Sequence, residues 1–437
     1  MPVSPYVLER LQTSLSQDQF EKVLAATKVS KTRPKITFMV SPQLNACDYY
    51  RGYMIARELE KHDLFDLQFV HGIGPNEAYD SNLMVVYRPK DPSLMNYTNN
   101  PAAQNAYLMA DYDDDVFSVP RANFLAPNFT PQEKNFSMQI TSRVTQLTVS
   151  TRRLRDVLKS NQPRVSVIPN MVDFDAYSKL LMHFPKTPNP RFRVGWAGTY
   201  THTEDLMGGG QVFLRALSEF MRKRRDVEMV FFGFCPENFM NEHWGRVASI
   251  DPVHLYQYMS RLAQLNLDLM LYPLMDHQFN YSKSNIRWLE SSMIHVPVIS
   301  SPIHSYRDIG EDLCMTVPLT YEAWFNALEH AYLNRDDMRA RAEKSREWAR
   351  AHWSIQAGWP AWAAVLAAAA TGEFVAQDFT PPPYPSKQKG DSHATRLDVS
   401  DQHGSGLRPE AHEDRAEKDH FPELGDPHSE PRGDVCV

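Results

Sequence analysis

The sequence predicts an α/β protein built from two doubly wound, Rossmann-like halves that face each other across a cleft. Three observations carry that reading. Short β-rich apolar runs recur at helix-sized intervals from Lys35 onward, a proline-punctuated stretch divides them into two series, and the composition loses its core-forming residues after Phe379. Strand-length runs separated by helix-length segments imply βα units and a largely parallel sheet in each series. A chain of 437 residues is long for one core and comfortable for two.

A polar helical lead-in occupies residues 1–30, and the first half spans 31–180 with "KITFMVS", "FDLQFVHG", "LMVVYRP", "AYLMADYDDD", "QLTVST" and "VSVIPN" as its strands. "KLLMHFPKTPNPRF" reads as a linker because its prolines interrupt regular structure. The second half spans 191–335 with "RVGWAGT", "VEMVFFGF", "LDLMLYPL", "VPVISS" and "CMTVPL". Between its strands, "QVFLRALSEFMRKR" puts Phe213, Leu217, Phe220 and Met221 on one helical face, as a helix laid on a sheet requires. Residues 336–372 read as C-terminal helices. Residues 380–437 are rich in proline, glycine, histidine and charge, and predict a disordered tail.

A net charge of −7 gives no global electrostatic case for a nucleic-acid partner. The four cysteines, Cys47, Cys235, Cys314 and Cys436, lie far apart without paired metal-ligand spacing, which suggests neither a zinc site nor a disulfide scaffold and fits a reducing cytoplasm. The amino terminus lacks an apolar signal core, and no run approaches the ~18 apolar residues of a membrane span.

Ligands of open α/β sheets sit beyond the carboxyl ends of the strands, near helix amino termini. "NYSKSNIRWLE", Asn280–Glu290, falls at such a place, between one apolar run and the next. If a helix starts near Ser284, its unpaired N–H groups favour an anion, and Lys283 adds a full charge there, so Lys283, Ser284 and Asn285 are candidates for holding a diphosphate. Glu290 lies two helical turns on, roughly 10 Å along the axis, where it suits a ribose. Arg51, in "NACDYYRGYMIARELEKH", follows the first strand and is expected to face the cleft as a clamp for phosphate. Asp111 and Asp113, in "MADYDDD", read as a cleft-facing acidic loop that touches an acceptor or supplies a base. His202 is a further candidate for meeting donor or acceptor. Gly208–Gly210 lack the spacing of a phosphate loop and read as a flexible connection.

The segment from "HLYQYMSRL" through "NYSKSNIRWLESSMIHVPVISS" resembles the donor-binding region of the GT-B glycosyltransferases, specifically the retaining group-1, GT4-like enzymes of polysaccharide biosynthesis. "VSVIPNMVDFDAY" resembles the inter-domain segment of that family, and "VGWAGTYTHTEDL" its first C-domain strand and loop, which places Gly198 and Thr199 in the donor site. The resemblance implies a metal-independent hexosyltransferase without cofactor. Its partners would be a nucleotide-sugar donor and a glycan, lipid-linked or small-molecule acceptor, with room for a peripheral membrane contact. It also implies that Glu290 binds ribose and that the helix start holds the diphosphate. The chain departs from the family pattern at Ser282, where a sugar-binding glutamate is usual, and at His202, where the loop lacks the usual basic pair. Two other readings stay open. Asp111 and Asp113 resemble the metal-binding pair of GT-A glycosyltransferases, and the departures suit a GT-B-like scaffold that binds without turnover.

Overall fold

In the computed structural model, residues 5–26, 33–42, 45–72, 80–95, 106–123, 126–379, 381–382 and 384–385 are described. The expected tail lies, from residue 386 on, outside the described residues.

The alternating apolar runs of the first half become six parallel strands: β1 (Lys35–Met39), β2 (Asp66–Val70), β3 (Leu83–Tyr87), β4 (Tyr107–Tyr112), β5 (Gln146–Val149) and β6 (Val165–Val167). Their order is β2-β1-β3-β4-β5-β6. The second half adds β7 (Phe192–Gly198), β8 (Val227–Gly233), β9 (Val247–Ile250), β10 (Leu269–Tyr272), β11 (Val298–Ser300) and β12 (Met315–Thr316). They form a second parallel sheet, ordered β12-β11-β10-β7-β8-β9. The strand order reverses between β1 and β3 in the first sheet and between β7 and β10 in the second. At such switch points the connections leave in opposite directions and open a crevice at the carboxyl edge.

Helices cover both faces by burying one stripe each. Phe213, Leu217, Phe220 and Met221 are all buried in the core of the second sheet. The Thr203–Lys223 segment is not one continuous helix: from Gly208 to Gln211 the backbone leaves helical geometry, with φ of +58° at Gly209 and +72° at Gly210. The expected connection is therefore a left-handed turn inside the helix, a conformation glycine adopts without steric cost. The lead-in forms helices Pro5–Ser14 and Gln17–Ala26, and Leu8, Leu11, Phe20 and Val23 enter the same apolar core as the Ile355–Ala369 helix.

That last helix returns the chain to the first sheet. Gln146 on β5 donates to the Val365 carbonyl at 2.8 Å. Beyond it, Val167 N–H donates to the Gln377 carbonyl at 2.8 Å and Phe379 N–H to the Val167 carbonyl at 2.9 Å, so the chain pairs with the edge of β6. Tyr384 packs edge-on against Trp348, at 5.2 Å between ring centroids, so core contacts continue past residue 380, where the sequence places the start of the tail. Among the described residues no helix is long and apolar enough to cross a membrane.

The first half is organised around an ion pair. Arg51 and Asp111 side chains are 1% and 0% exposed. Arg51 Nε and Nη2 donate to the two carboxylate oxygens at 2.9 and 2.7 Å, and Nη1 donates to the Ile168 carbonyl at 2.6 Å. The Thr148 hydroxyl donates to Asp111 Oδ2 at 2.6 Å, and the guanidinium lies 4.8 Å from the Trp362 ring centroid. Breaking one partner of a buried pair leaves the other charge uncompensated. Arg51→Ala should therefore cost ~3–5 kcal/mol in urea unfolding, and Asp111→Ala in the same chain should recover part of that loss. An unchanged unfolding midpoint in the single variant would remove the pair from the fold's framework.

Candidate functional site

The carboxyl edge of the second sheet gathers the candidate residues at its switch point. β7 ends on Gly198 with Thr199 next, and the connection from β10 to the Ile286–Met293 helix carries Ser282, Lys283, Ser284 and Asn285. Gly198 is held from the neighbouring strand: Phe234 N–H donates to its carbonyl at 2.8 Å. Gly233, at φ +110°, makes that approach feasible, because a Cβ there would stand 2.1 Å from the Gly198 oxygen.

The helix begins at Ile286 with Asn285 as its cap residue, slightly later than the sequence suggests, and the Asn285 side chain makes no capping bond. Ser282 and Asn285 are 0% and 1% exposed. Ser282 Oγ and Asn285 Nδ2 nevertheless have no hydrogen-bond partner among the described residues. Polar groups so deeply buried are paired in nearly all native structures, so two orphans in this one connection make it the candidate place for a polar ligand. Lys283 stands between them, its Nζ 4.4 Å from the Phe279 ring centroid. Loops of the first half brace this segment: Thr151 hydroxyl donates to the Ser282 carbonyl at 3.0 Å, and Asn170 Nδ2 donates to Ser284 Oγ at 2.9 Å.

His202 joins the same edge. Its Nδ1 lies 2.9 Å from Asp205 Oδ2, while Asp205 Oδ1 accepts from Met275 N–H at 2.9 Å and Asn280 Nδ2 at 2.7 Å. One carboxylate thus ties the loop after β7 to the segment after β10 that leads into Lys283. Burial pushes the Asp205 carboxyl up, but the His202 hydrogen bond and the charges of His202 and Lys283 outweigh it and hold the group below its usual range. Burial, followed by the charge of Lys283, holds His202 below its ordinary value against the opposing pull of Asp205.

Glu290 is 2% exposed and hydrogen-bonded through both oxygens. Tyr50 hydroxyl donates to Oε1 at 2.8 Å, and Tyr258 hydroxyl and Arg287 Nη1 donate to Oε2 at 3.1 and 3.0 Å. Burial, reinforced by Glu290, raises the Tyr50 phenol well above its usual range and keeps it a donor.

Three expectations change. Arg51 does not reach the cleft as a phosphate clamp, because its donors are committed beneath it to Asp111 and the Ile168 carbonyl. Asp111 is a residue of β4, not of a loop, and its oxygens already receive Arg51 and Thr148. Asp113 does follow the strand end, but Arg88 Nε donates to its Oδ1 at 2.5 Å and the Cys47 thiol at 3.2 Å. Among the described residues no group of three histidine, cysteine, aspartate or glutamate side chains could hold a metal ion. Sequence reasoning also missed Asp205, Arg287, Tyr50 and Tyr258. The spacings His202-to-Asp205 and Arg287-to-Glu290, three residues apart in helical stretches, were the available signals.

No protein-family model matches the chain, and no curated protein matches it. Solved structures do. HepE from Anabaena, in complex with UDP and glucose, superposes with a TM-score of 0.54 at 13% identity, covering 76% of this chain and 99% of that one. The same protein in complex with UDP-glucose gives 0.52 at 13% identity, covering 76% and 98%. Sucrose-phosphate synthase from Thermosynechococcus elongatus gives 0.52 at 12% identity, covering 75% and 96%. The two parallel six-stranded sheets are the GT-B architecture, which also sets aside the GT-A alternative.

Proposed function

We propose that this chain is a retaining, metal-independent glycosyltransferase that moves a sugar from a nucleotide-diphosphate donor to a glycan, lipid-linked or small-molecule acceptor. The observation that carries the reading is the pair of buried polar groups without a partner among the described residues, Ser282 Oγ and Asn285 Nδ2, flanking Lys283 in the connection that leads into the Ile286–Met293 helix. Free backbone N–H groups, two orphan side chains and a cation form a receptor for an anion of diphosphate size. A nucleotide-sugar donor gains support from the UDP and UDP-glucose bound by HepE, which has the same architecture. Retention and a place among the GT4-like enzymes of polysaccharide biosynthesis rest on the sequence resemblance.

In this reading the charge that develops on the departing diphosphate is met by Lys283, the helix start and His202. Gly198 and Thr199 line the floor. Glu290 holds the ribose: a hydroxyl that donates to a carboxyl oxygen is what Tyr50 supplies at 2.8 Å, and a ribose hydroxyl offers the same chemistry in its place. Ser282, standing where the family has a glutamate, supports a second reading, a scaffold that binds a nucleotide sugar without turnover. Release of free nucleoside diphosphate from a panel of UDP-, GDP-, ADP- and dTDP-sugars, with candidate acceptors, decides between the two.

Lys283→Ala should lower turnover on the order of 10²-fold, as does removal of one preorganised donor from a developing oxyanion, with the thermal melting curve little changed. Turnover at the wild-type rate would take Lys283 out of the mechanism. Activity should persist in excess EDTA; complete loss with rescue by Mn²⁺ would replace the metal-independent mechanism. Glu290→Gln should weaken donor binding by ~1.5–3 kcal/mol, with a 2′-deoxyribose donor penalised in the wild type and much less in the variant. Equal penalties in both proteins would place the ribose elsewhere.

A further inference from the structure

We propose that His202, held by Asp205, takes up a proton when the donor diphosphate enters, so that an imidazolium supplies the second cation that this loop otherwise lacks. The inference rests on the donor-site reading above and deepens it. An ionised carboxylate only accepts hydrogen bonds, so the 2.9 Å contact fixes the neutral His202 tautomer with the proton on Nδ1, facing Asp205. Asp205 cannot swing away, because Met275 N–H and Asn280 Nδ2 hold its other oxygen. The remaining nitrogen, Nε2, has no hydrogen-bond partner among the described residues, on a side chain 22% exposed. In the neutral ring Nε2 carries a lone pair, which would repel a phosphate oxygen. Once protonated, it donates to that oxygen instead.

The charged groups whose fields act on the ring set the direction. Burial, Lys283 and Arg287 disfavour the imidazolium, and Asp205 favours it. An entering diphosphate brings negative charge that offsets the two cations and tips the balance toward protonation. The proton comes from solvent and lodges on Nε2, and no covalent bond is made. Asp205 is then a positioning residue: it sets the tautomer and stabilises the cation without touching the donor.

The sign follows from linkage. His202 has a higher pKa in the complex than in the free protein. Below the free-protein value the site is already cationic and affinity is highest. As pH rises from there through the value in the complex, affinity falls by as much as ~tenfold per pH unit for a single proton. Above both values no proton is taken up.

The experiment is isothermal titration of the full chain with UDP-, GDP-, ADP- and dTDP-glucose in buffers of different ionisation enthalpy, from pH 6 to 8.5. These diphosphate diesters carry no phosphate proton that titrates near neutrality. For any sugar nucleotide that binds, the buffer dependence should report net proton uptake. His202→Gln should bind about tenfold more weakly at the acid end and take up no proton, and its affinity should not vary with pH. Asp205→Asn should keep binding with reduced uptake and a pH profile moved to lower values. Wild-type binding without proton uptake, or uptake that persists in His202→Gln, would overturn the inference while leaving the donor site standing. Failure of all four to bind the folded wild type would overturn the donor-site reading and this inference together.

Discussion

The pairing of Arg51 with Asp111 constrains the rest of the first half. It joins the turn after β1, the strand β4, the segment beyond β6 and, through Trp362, the C-terminal helix. Taking two charges out of water is costly, and their attraction offsets that cost only with close geometry and further hydrogen bonds. Here both conditions hold: the contact is bidentate, Thr148 adds a donor to the carboxylate, and the Ile168 carbonyl takes the remaining guanidinium edge. No sliding of one element past another preserves all of these bonds, so the pair fixes the register of the half that carries Tyr50, Thr151 and Asn170.

That commitment decides where cations remain for a ligand. Arg51 is turned inward and Arg88 is engaged with Asp113 and Asp114. Lys283 is different: its ammonium lies over the face of Phe279, and its charge acts on His202 and Asp205. Lys283 lies at the edge where Ser282 and Asn285 leave polar atoms unpaired, and Arg153 of the first half donates to Gln278 in the same connection at 2.9 Å. The first half contributes hydrogen bonds, from Thr151 and Asn170, that hold this edge in place.

Strand positions were legible wherever both faces of a strand are buried, because continuous apolar runs between polar helices have few other readings. β9 escaped notice for the opposite reason: it is the edge strand of its sheet, and Ala248 and Ser249 are exposed. The pairing of Gln377 and Phe379 with β6 was illegible because it uses backbone groups, which no side-chain pattern reports. In the candidate site, spacing located Lys283 and its neighbours but could not orient Arg51. Arg51 lies in a π-helical turn, Tyr49–Tyr53, where the wider i→i+5 spacing rotates side chains away from the α-helical register that sequence reasoning assumes. Asp111 was misjudged through its strand end: one residue earlier or later decides whether a carboxylate ends a buried strand or opens a loop.

Glu290 shows how one group serves two demands. Its oxygens receive a hydroxyl from Tyr50 in the first half and a hydroxyl and a guanidinium from the second. A side chain so buried cannot be left without donors, since an unsatisfied group there costs its full desolvation. A ligand hydroxyl that reaches Oε1 either takes that oxygen's second lone pair beside Tyr50 or replaces Tyr50, and in the second case the released phenol, itself buried, must find another acceptor or water. Tyr50 immediately precedes Arg51 in the same π-helical turn, and Arg51 is locked. The exchange at Glu290 thus falls to rotation of the Tyr50 side chain or to movement of the first half as a body, and not to local sliding of the turn.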